Sequence, residues 1–184
     1  LKKNLTATPD NFDLALFSEK VTELPLSFKP GTKWNYSVGI DLAGRLIEMI
    51  SGESLDIYIR ENLLDQLGME DTQFFLPQSK TDRFSDCFFY HTMSENFFPL
   101  VQQYQNFYYK KNEVTNFSGG SGLLSTGYDY LKFANLLLND GKLKNSMVFA
   151  KGVMNKIRAN SIYQDIASIG VESFAQMCKR FYSN

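Results

Sequence analysis

The residues of this chain that could do chemistry are few: Tyr36 in the run Trp34-Asn35-Tyr36-Ser37, the cluster Ser118-Gly119-Gly120-Ser121-Gly122, the single histidine His91, and some neighbouring carboxylates. His91 has no second histidine or cysteine pair at ligand spacing, so a zinc site would need ligands from scattered acids. A solvated or hydrogen-bonded strand histidine is the favoured reading, and no metal or other cofactor is expected. Gly122 and Gly127 stand at P-loop spacing, but the positions that hold the phosphate lysine and the Mg²⁺ hydroxyl are Tyr128 and Asp129, and Asp129 would repel phosphate. A nucleophile elbow fails too, since Ser121 has Gly119 two residues before it but Leu123 where the second glycine belongs. Nowhere is a Ser or Thr followed three residues later by Lys, the spacing that lets a lysine one helical turn away activate a serine. Glu53 with Asp56, or Glu70 with Asp71, could serve as a glycosidase pair, yet acids at helix ends are favoured for ordinary dipole reasons.

Tyr36 has two readings from spacing alone. A tyrosine just ahead of a helix can staple onto the next turn, or it can present its phenol to a substrate. The elements around it decide where it sits. Leu24 to Gly31, with two prolines and a glycine, reads as an extended segment ending in a turn. Ile40, Ala43, Gly44, Ile47 and Ile50 then recur at three- and four-residue spacing, predicting a helix over Gly39–Ile50 with that face buried and Ser51-Gly52 as its stop. A second helix is expected over Ser54–Gln66, with Ser54 as N-cap, an apolar side of Leu55, Ile59, Leu63 and Leu67, and Gly68 as terminator. Two helices joined so tightly should pack together.

The glycine cluster reads as a loop leading into Thr126-Gly127-Tyr128-Asp129, an acidic variant of the capping box. The helix it opens should bury Leu131, Ala134 and Leu138 with Phe133 and Leu137, and end at Asn139-Asp140-Gly141. A further helix is expected around Met147–Arg158, and a loosely helical pattern runs over Ser161–Asn184. Residues 1–23 carry no clear signal. Between Asp82 and Thr115, ten of 34 residues are Phe or Tyr, which predicts strands or a hairpin. Core or sheet packing of those aromatics is favoured over a binding platform.

Composition narrows the function classes. The chain has 184 residues, 43% of them hydrophobic, and 19 basic against 20 acidic side chains, which fits a folded domain and lacks the basic stripe of a nucleic-acid binder. No apolar run approaches the roughly 18 residues of a membrane span. The start at Leu1 suggests an internal piece, and a signal peptide could precede it. Cys87 and Cys178 form no paired motif and read as buried thiols, with one disulfide between them as the alternative. No fixed-period repeat appears.

Four ordered segments resemble the serine β-lactamase family near class C enzymes, penicillin-binding proteins and related esterases. They are Leu26–Ser37 (LSFKPGTKWNYS), Gly44-Arg45-Leu46-Ile47-Glu48 with Ile50-Ser51-Gly52, Leu67–Phe74 (LGMEDTQF), and Gly119–Thr126 (GGSGLLST) with Asp129 and Phe133. The resemblance covers about residues 24–160. It implies an α+β, β-lactamase/transpeptidase-like fold, of which residues 1–160 would be the helix-rich central part with few strands, and residues 161–184 a divergent C-terminal segment.

That resemblance also implies a chemistry. The family hydrolyses or transfers acyl groups through a serine in S-x-x-K, a tyrosine in Y-x-N and a late lysine- or histidine-containing x-x-G motif. Tyr36 matches the tyrosine, as general base for the serine and then proton donor to the leaving group. Ser37 and the Gly119, Gly120 and Ser121 loop would line the cleft for a small acyl substrate. Val38 replaces the asparagine, removing an amide that could hold a substrate carbonyl and the lysine, and this disfavours β-lactam turnover relative to ester hydrolysis. The S-x-x-K serine is expected upstream of Leu1 and the late motif beyond Arg158, although Ser161–Asn184 does not show it.

A free phenol titrates near pH ~10, so about one in a thousand is ionised at neutral pH without cationic neighbours. The 184-residue chain alone is therefore expected to form no acyl-enzyme, and a stoichiometric mass adduct with a penicillin or activated ester would contradict that. Apolar faces left uncovered on the first and third helices would favour self-association. A relative without catalysis, kept as a binding or interaction scaffold, is the alternative function.

Overall fold

The computed structural model describes residues 12–33, 36, 38–99, 114–144 and 146–159. The expected helix in Ser161–Asn184 lies outside them, as do Trp34, Asn35, Ser37 and Cys178. Among the described residues the helices are α1 (Leu14–Thr22), α2 (Gly39–Ser51), α3 (Leu55–Ile59), α4 (Asp65–Leu67), α5 (Gly127–Leu138) and α6 (Lys151–Arg158). Two short antiparallel ladders accompany them, β1 (Phe88–His91) with β2 (Asn96–Pro99) and β3 (Lys142–Leu143) with β4 (Ser146–Met147).

Helix α2 ends where the sequence predicts, at Gly52 in the left-handed region with φ 76°, where its N–H closes on Glu48 O. This conformation favours glycine because it has no Cβ to clash. The second helix departs from its expected form in two ways. A π-helical turn at Arg60–Leu64 separates α3 from α4, and Ser54 caps nothing, because its hydroxyl donates to Asp56 Oδ1 at 2.6 Å. The cap comes instead from the preceding helix. Glu48 Oε1 accepts the Leu55 N–H at 3.1 Å while its other oxygen takes Arg45 Nη1 at 3.1 Å, so one carboxylate ties α2 to the start of α3 and satisfies a helix-start donor.

Two apolar clusters form the core. Leu14, Leu55 and Phe74 are buried together, with Phe17, Ile47 and Phe117 against them. Leu64, Leu67, Met69 and Leu136 form the second, and Ile59 packs on both. Gly44 lies where α1, α2 and α3 meet, and a Cβ there would come within 2.8 Å of Leu55 Cδ2 and 3.3 Å of Leu14 Cδ2. Helix α1 carried no clear sequence signal, yet its Leu14 is among the most buried side chains. The trace it leaves is short: Asp13 Oδ1 accepts the Leu16 N–H at 2.7 Å as an N-cap, and Leu14 with Phe17 supply only one turn of periodicity.

Several expected faces are corrected. On α2 only Gly44 is fully buried, while Ile40, Ala43 and Ile50 are exposed, Ile50 at 85%. On α5 the buried residues are Leu136 and Asp129, and Leu131 and Leu138 point outward, Leu138 at 76% exposure. Both sides of α5 carry leucines, so periodicity cannot choose between them, and the contact with Leu64, Leu67 and Met69 does. The last described helix begins at Lys151, because Ser146–Met147 pairs as β4 and Ala150 serves as N-cap.

The predicted hairpin is present, with Phe89 opposite Phe98 and Tyr90 opposite Phe97. Their rings meet across the ladder at 5.8 and 5.2 Å. Sheet packing is thus satisfied between the strands, but the hairpin's aromatics are no core: Phe88, Phe89, Tyr90, Phe97 and Phe98 are all exposed, Phe97 at 71%. Cys87, expected inside, is exposed at the hairpin's entry. His91 is the strand histidine expected, its Nδ1 3.0 Å from Ser94 Oγ.

Candidate active site

Tyr36 lies three residues before the first residue of α2 and is 68% exposed. That exposure removes the staple reading, which requires the ring to pack on the next turn. Val38 is the N-cap of α2 with no side-chain cap, and its carbonyl accepts the Leu42 N–H at 3.1 Å.

The glycine loop sits on the first turn of the same helix, held by a residue the sequence reading passed over. Asp41 Oδ1 accepts the Ser118 hydroxyl at 2.5 Å and the Gly120 N–H at 3.3 Å. Ser118 Oγ in turn accepts the Ser121 N–H at 3.1 Å and lies 3.2 Å from Ser121 Oγ, and Ser118 O accepts the Gly122 N–H at 3.0 Å. An aspartate in a first helical turn is favoured by the dipole alone, which is why Asp41 gave no distinct signal. The amides of Gly120, Ser121 and Gly122 are all consumed by Asp41 and Ser118, so the loop presents a hydroxyl and glycine surface rather than those N–H donors.

Close approach explains the glycines. A Cβ at Gly119 would stand 2.5 Å from the Ile40 carbonyl oxygen, and one at Gly120 2.8 Å from Asp41 Oδ2. Neither backbone nor clamping carboxylate can give way without moving the loop. At Gly122 the obstacles are the Phe74 ring and Ser118 O, both at 2.7 Å. The structure therefore brings the Gly119–Ser121 loop to the entrance of the helix that Tyr36 precedes. The open groove of about 370 Å³ between α1 and α2, lined by Ser18, Glu19, Arg45 and Met49 among others, includes neither Tyr36 nor the loop.

Behind the loop, the chain is pinned to α5. Gln73 and Leu124 exchange N–H···O bonds at 3.0 and 2.8 Å, and Thr72 Oγ1 is 2.8 Å from Ser125 Oγ. Asp129 is 2% exposed and accepts from the Asp71 N–H at 2.8 Å, Thr72 Oγ1 at 3.0 Å and Lys132 Nζ at 2.9 Å. Burial pushes its carboxyl upward, but these donors outweigh burial and hold it below the usual carboxylate range. The expected capping box is thus half formed. Thr126 Oγ1 accepts the Asp129 N–H at 3.2 Å, while the Asp129 carboxylate serves the neighbouring loop.

One member of each carboxylate pair weighed for glycosidase chemistry is otherwise employed. Asp71 bonds Arg83 Nη2 at 2.8 Å and Lys80 Nζ at 2.5 Å, which lower its carboxyl to about 2. Asp56 accepts from Ser54. Among the described residues no group of three or more His, Cys, Asp or Glu is arranged to hold a metal ion, and no helix is long and apolar enough to cross a membrane.

The Beta-lactamase family model matches residues 2–158. A lovastatin esterase of Penicillium rubens is 41% identical over 76 residues, 41% of this chain and 18% of that protein. A Penicillium citrinum ML-236A carboxylate methylbutanoyltransferase is 30% identical over 115 residues, 62% of this chain and 27% of that protein. A solved simvastatin synthase variant from Aspergillus terreus superposes with a TM-score of 0.66 at 25% identity, over 83% of this chain and 36% of that one. The chain spans less than a third of the length of these two curated relatives. Fold and family model agree with the ordered motifs from Leu26 to Phe133, and the chain belongs to the β-lactamase family of serine hydrolases and acyl-transfer proteins.

Proposed function

We propose that the protein to which this chain belongs cleaves or transfers the acyl group of a small-molecule ester, with Tyr36 as general base and the Gly119–Ser121 loop along the cleft. The observation that carries this reading is the seating of that loop by Asp41 on the first turn of the helix that Tyr36 precedes, in a chain of this family. Five residues from Tyr36 to Asp41 span at most about 18 Å even when extended, so phenol and loop can flank one small substrate. Ser37, between Tyr36 and the helix, is assigned to the same cleft. Tyr36 is exposed, and its Oη accepts a proton as the phenolate, a form that a cationic group of the complete site would have to favour.

The nucleophile is the hydroxyl of an S-x-x-K serine, a motif this sequence does not contain. As the serine oxygen bonds to the ester carbonyl carbon, its proton passes to Tyr36 Oη. When the carbon–oxygen bond to the leaving alcohol breaks, Tyr36 returns that proton to the departing oxygen. Water or a second alcohol then attacks the acyl-serine by the same route in reverse. An ester is preferred to a β-lactam because Val38 offers no amide to the carbonyl, and the names of the two curated relatives, an esterase and an acyltransferase, lie on the same side. Val38 also favours a second reading, a scaffold that binds without turnover.

Turnover of p-nitrophenyl butyrate by the complete protein tests both. Tyr36→Phe should lower kcat/KM by about 10²–10⁴-fold, the range of acid–base catalysis, with an unchanged circular dichroism spectrum and melting temperature. Unchanged turnover removes Tyr36 from the role. A folded wild type without turnover supports the scaffold instead.

A further inference from the structure

The hydrogen-bond chain of the loop has a direction. A carboxylate has no proton to give, so the 2.5 Å contact with Asp41 Oδ1 commits the one hydroxyl proton of Ser118. Ser118 Oγ is left with lone pairs only, one taking the Ser121 N–H. In the 3.2 Å contact between the two hydroxyls, Ser121 must then be the donor. Its proton points inward to Ser118, and its lone pairs are what an exposed Ser121 turns outward.

We propose that Ser121 Oγ is a specificity-determining hydrogen-bond acceptor that selects acyl substrates carrying a hydroxyl or N–H donor, its polarity fixed by Asp41 through Ser118. This rests on the ester-cleaving reading and adds the substrate class to it. Two further observations support this role. The Gly120 amide is bonded to Asp41 and those of Ser121 and Gly122 to Ser118, so these three cannot compete for a substrate oxygen. Gly119 and Gly120 are held against Ile40 O and Asp41 Oδ2 with no room for a Cβ, which fixes where the Ser121 hydroxyl stands. Asp41 acts through Ser118 as a positioning residue.

The test uses the complete protein and pairs of p-nitrophenyl butyrates bearing a hydroxyl or a methoxyl at the α or β carbon. A methoxyl has similar polarity but no proton to donate. Wild type should prefer the hydroxy ester of at least one pair by about tenfold in kcat/KM, the scale of one hydrogen bond whose partner is otherwise left unmatched. Ser121→Ala should bring that ratio to about one, and Ser121→Thr, which keeps the hydroxyl, should restore it. Asp41→Asn, whose amide can donate to Ser118 Oγ, should release the fixed polarity and lower the ratio while the hydroxyl itself remains. A ratio that is the same in wild type and Ser121→Ala overturns the proposal. Should wild type turn over none of these esters, the ester-cleaving reading fails. Titration calorimetry of the same pairs then decides on binding alone, with equal affinities overturning the Ser121 assignment.

Discussion

Asp41 and Asp129 each stand in the first turn of a helix and each order a loop from elsewhere in the chain, but in opposite surroundings. Asp129 is sealed at 2% exposure and takes three donors, two of them from the Asp71–Thr72 segment. Asp41 is half-buried and its donors, Ser118 and Gly120, belong to a loop whose residues 119–121 are exposed. The same geometry therefore does different work. A buried carboxylate whose loss strands several donors is a fastening, since each unsatisfied buried group costs about 1–3 kcal/mol. One at the edge of solvent can be replaced by water, so what it controls is orientation.

The comparison is broken or sharpened first at Asp129. Asp129→Ala should destabilise the chain by about 3 kcal/mol in urea titration, because it strands the part-buried Asp71 N–H and leaves Thr72 with Ser125 Oγ alone and Lys132 with Gly68 O alone. Asp41→Ala should cost no more than about 1 kcal/mol, the value of a part-exposed hydrogen bond. Equal losses at the two sites would abolish the distinction. Gly119→Ala tests the clamp from the other side. Its Cβ at 2.5 Å from Ile40 O should displace the loop, at about 1–3 kcal/mol as for overpacking, and should lower ester turnover together with stability.

Acid separates the fastening from its surroundings more gently. Asp71 has an ordinary value of 3.8, lowered to about 2 by Arg83 and Lys80, and Asp129 is lowered as well. A depressed carboxyl leaves the unfolded chain binding protons first. The stability it contributes is present above about pH 4 and disappears as pH falls toward about 2. The urea midpoint should therefore drop across that window, and Asp71→Asn should flatten part of the fall. A slope identical in wild type and Asp71→Asn would mean that the ion pairs do not form in solution. The smallest effect belongs to the hairpin. Phe97→Ser should change stability by less than about 0.5 kcal/mol, as for an exposed site, while reducing concentration-dependent scattering if the exposed aromatics drive association.

Much of the scaffold was legible where punctuation is local. Gly52 ends α2 because the left-handed residue is needed within one turn of the helix it stops, and Thr126 caps α5 through an N–H three residues on. Tyr36 and the glycine loop were singled out through ordered motifs, and the structure seats that loop on the first turn of α2. Helix α1 was missed because its burial is decided by Leu55 and Phe74, residues far along the chain. On α5 the expected Phe133, Ala134 and Leu137 are partly buried, but Leu131 was taken in place of Leu136 because the two are equally apolar, and only contact with Leu64 and Leu67 distinguishes them.

The sequence by itself determined the family, the helix stops, the aromatic hairpin, the place of the tyrosine before α2, and the lack of an S-x-x-K serine within these 184 residues. Each follows from residue identity or from spacing within one element. Only the tertiary structure decided which leucines are buried, that Glu48 caps α3, and that Asp41 and Asp129 hold loops 79 and 58 residues away. The physical reason is one of range. Caps and turns are closed within a few residues, whereas the acceptor a buried or clamped donor will find depends on which distant segments pack beside it.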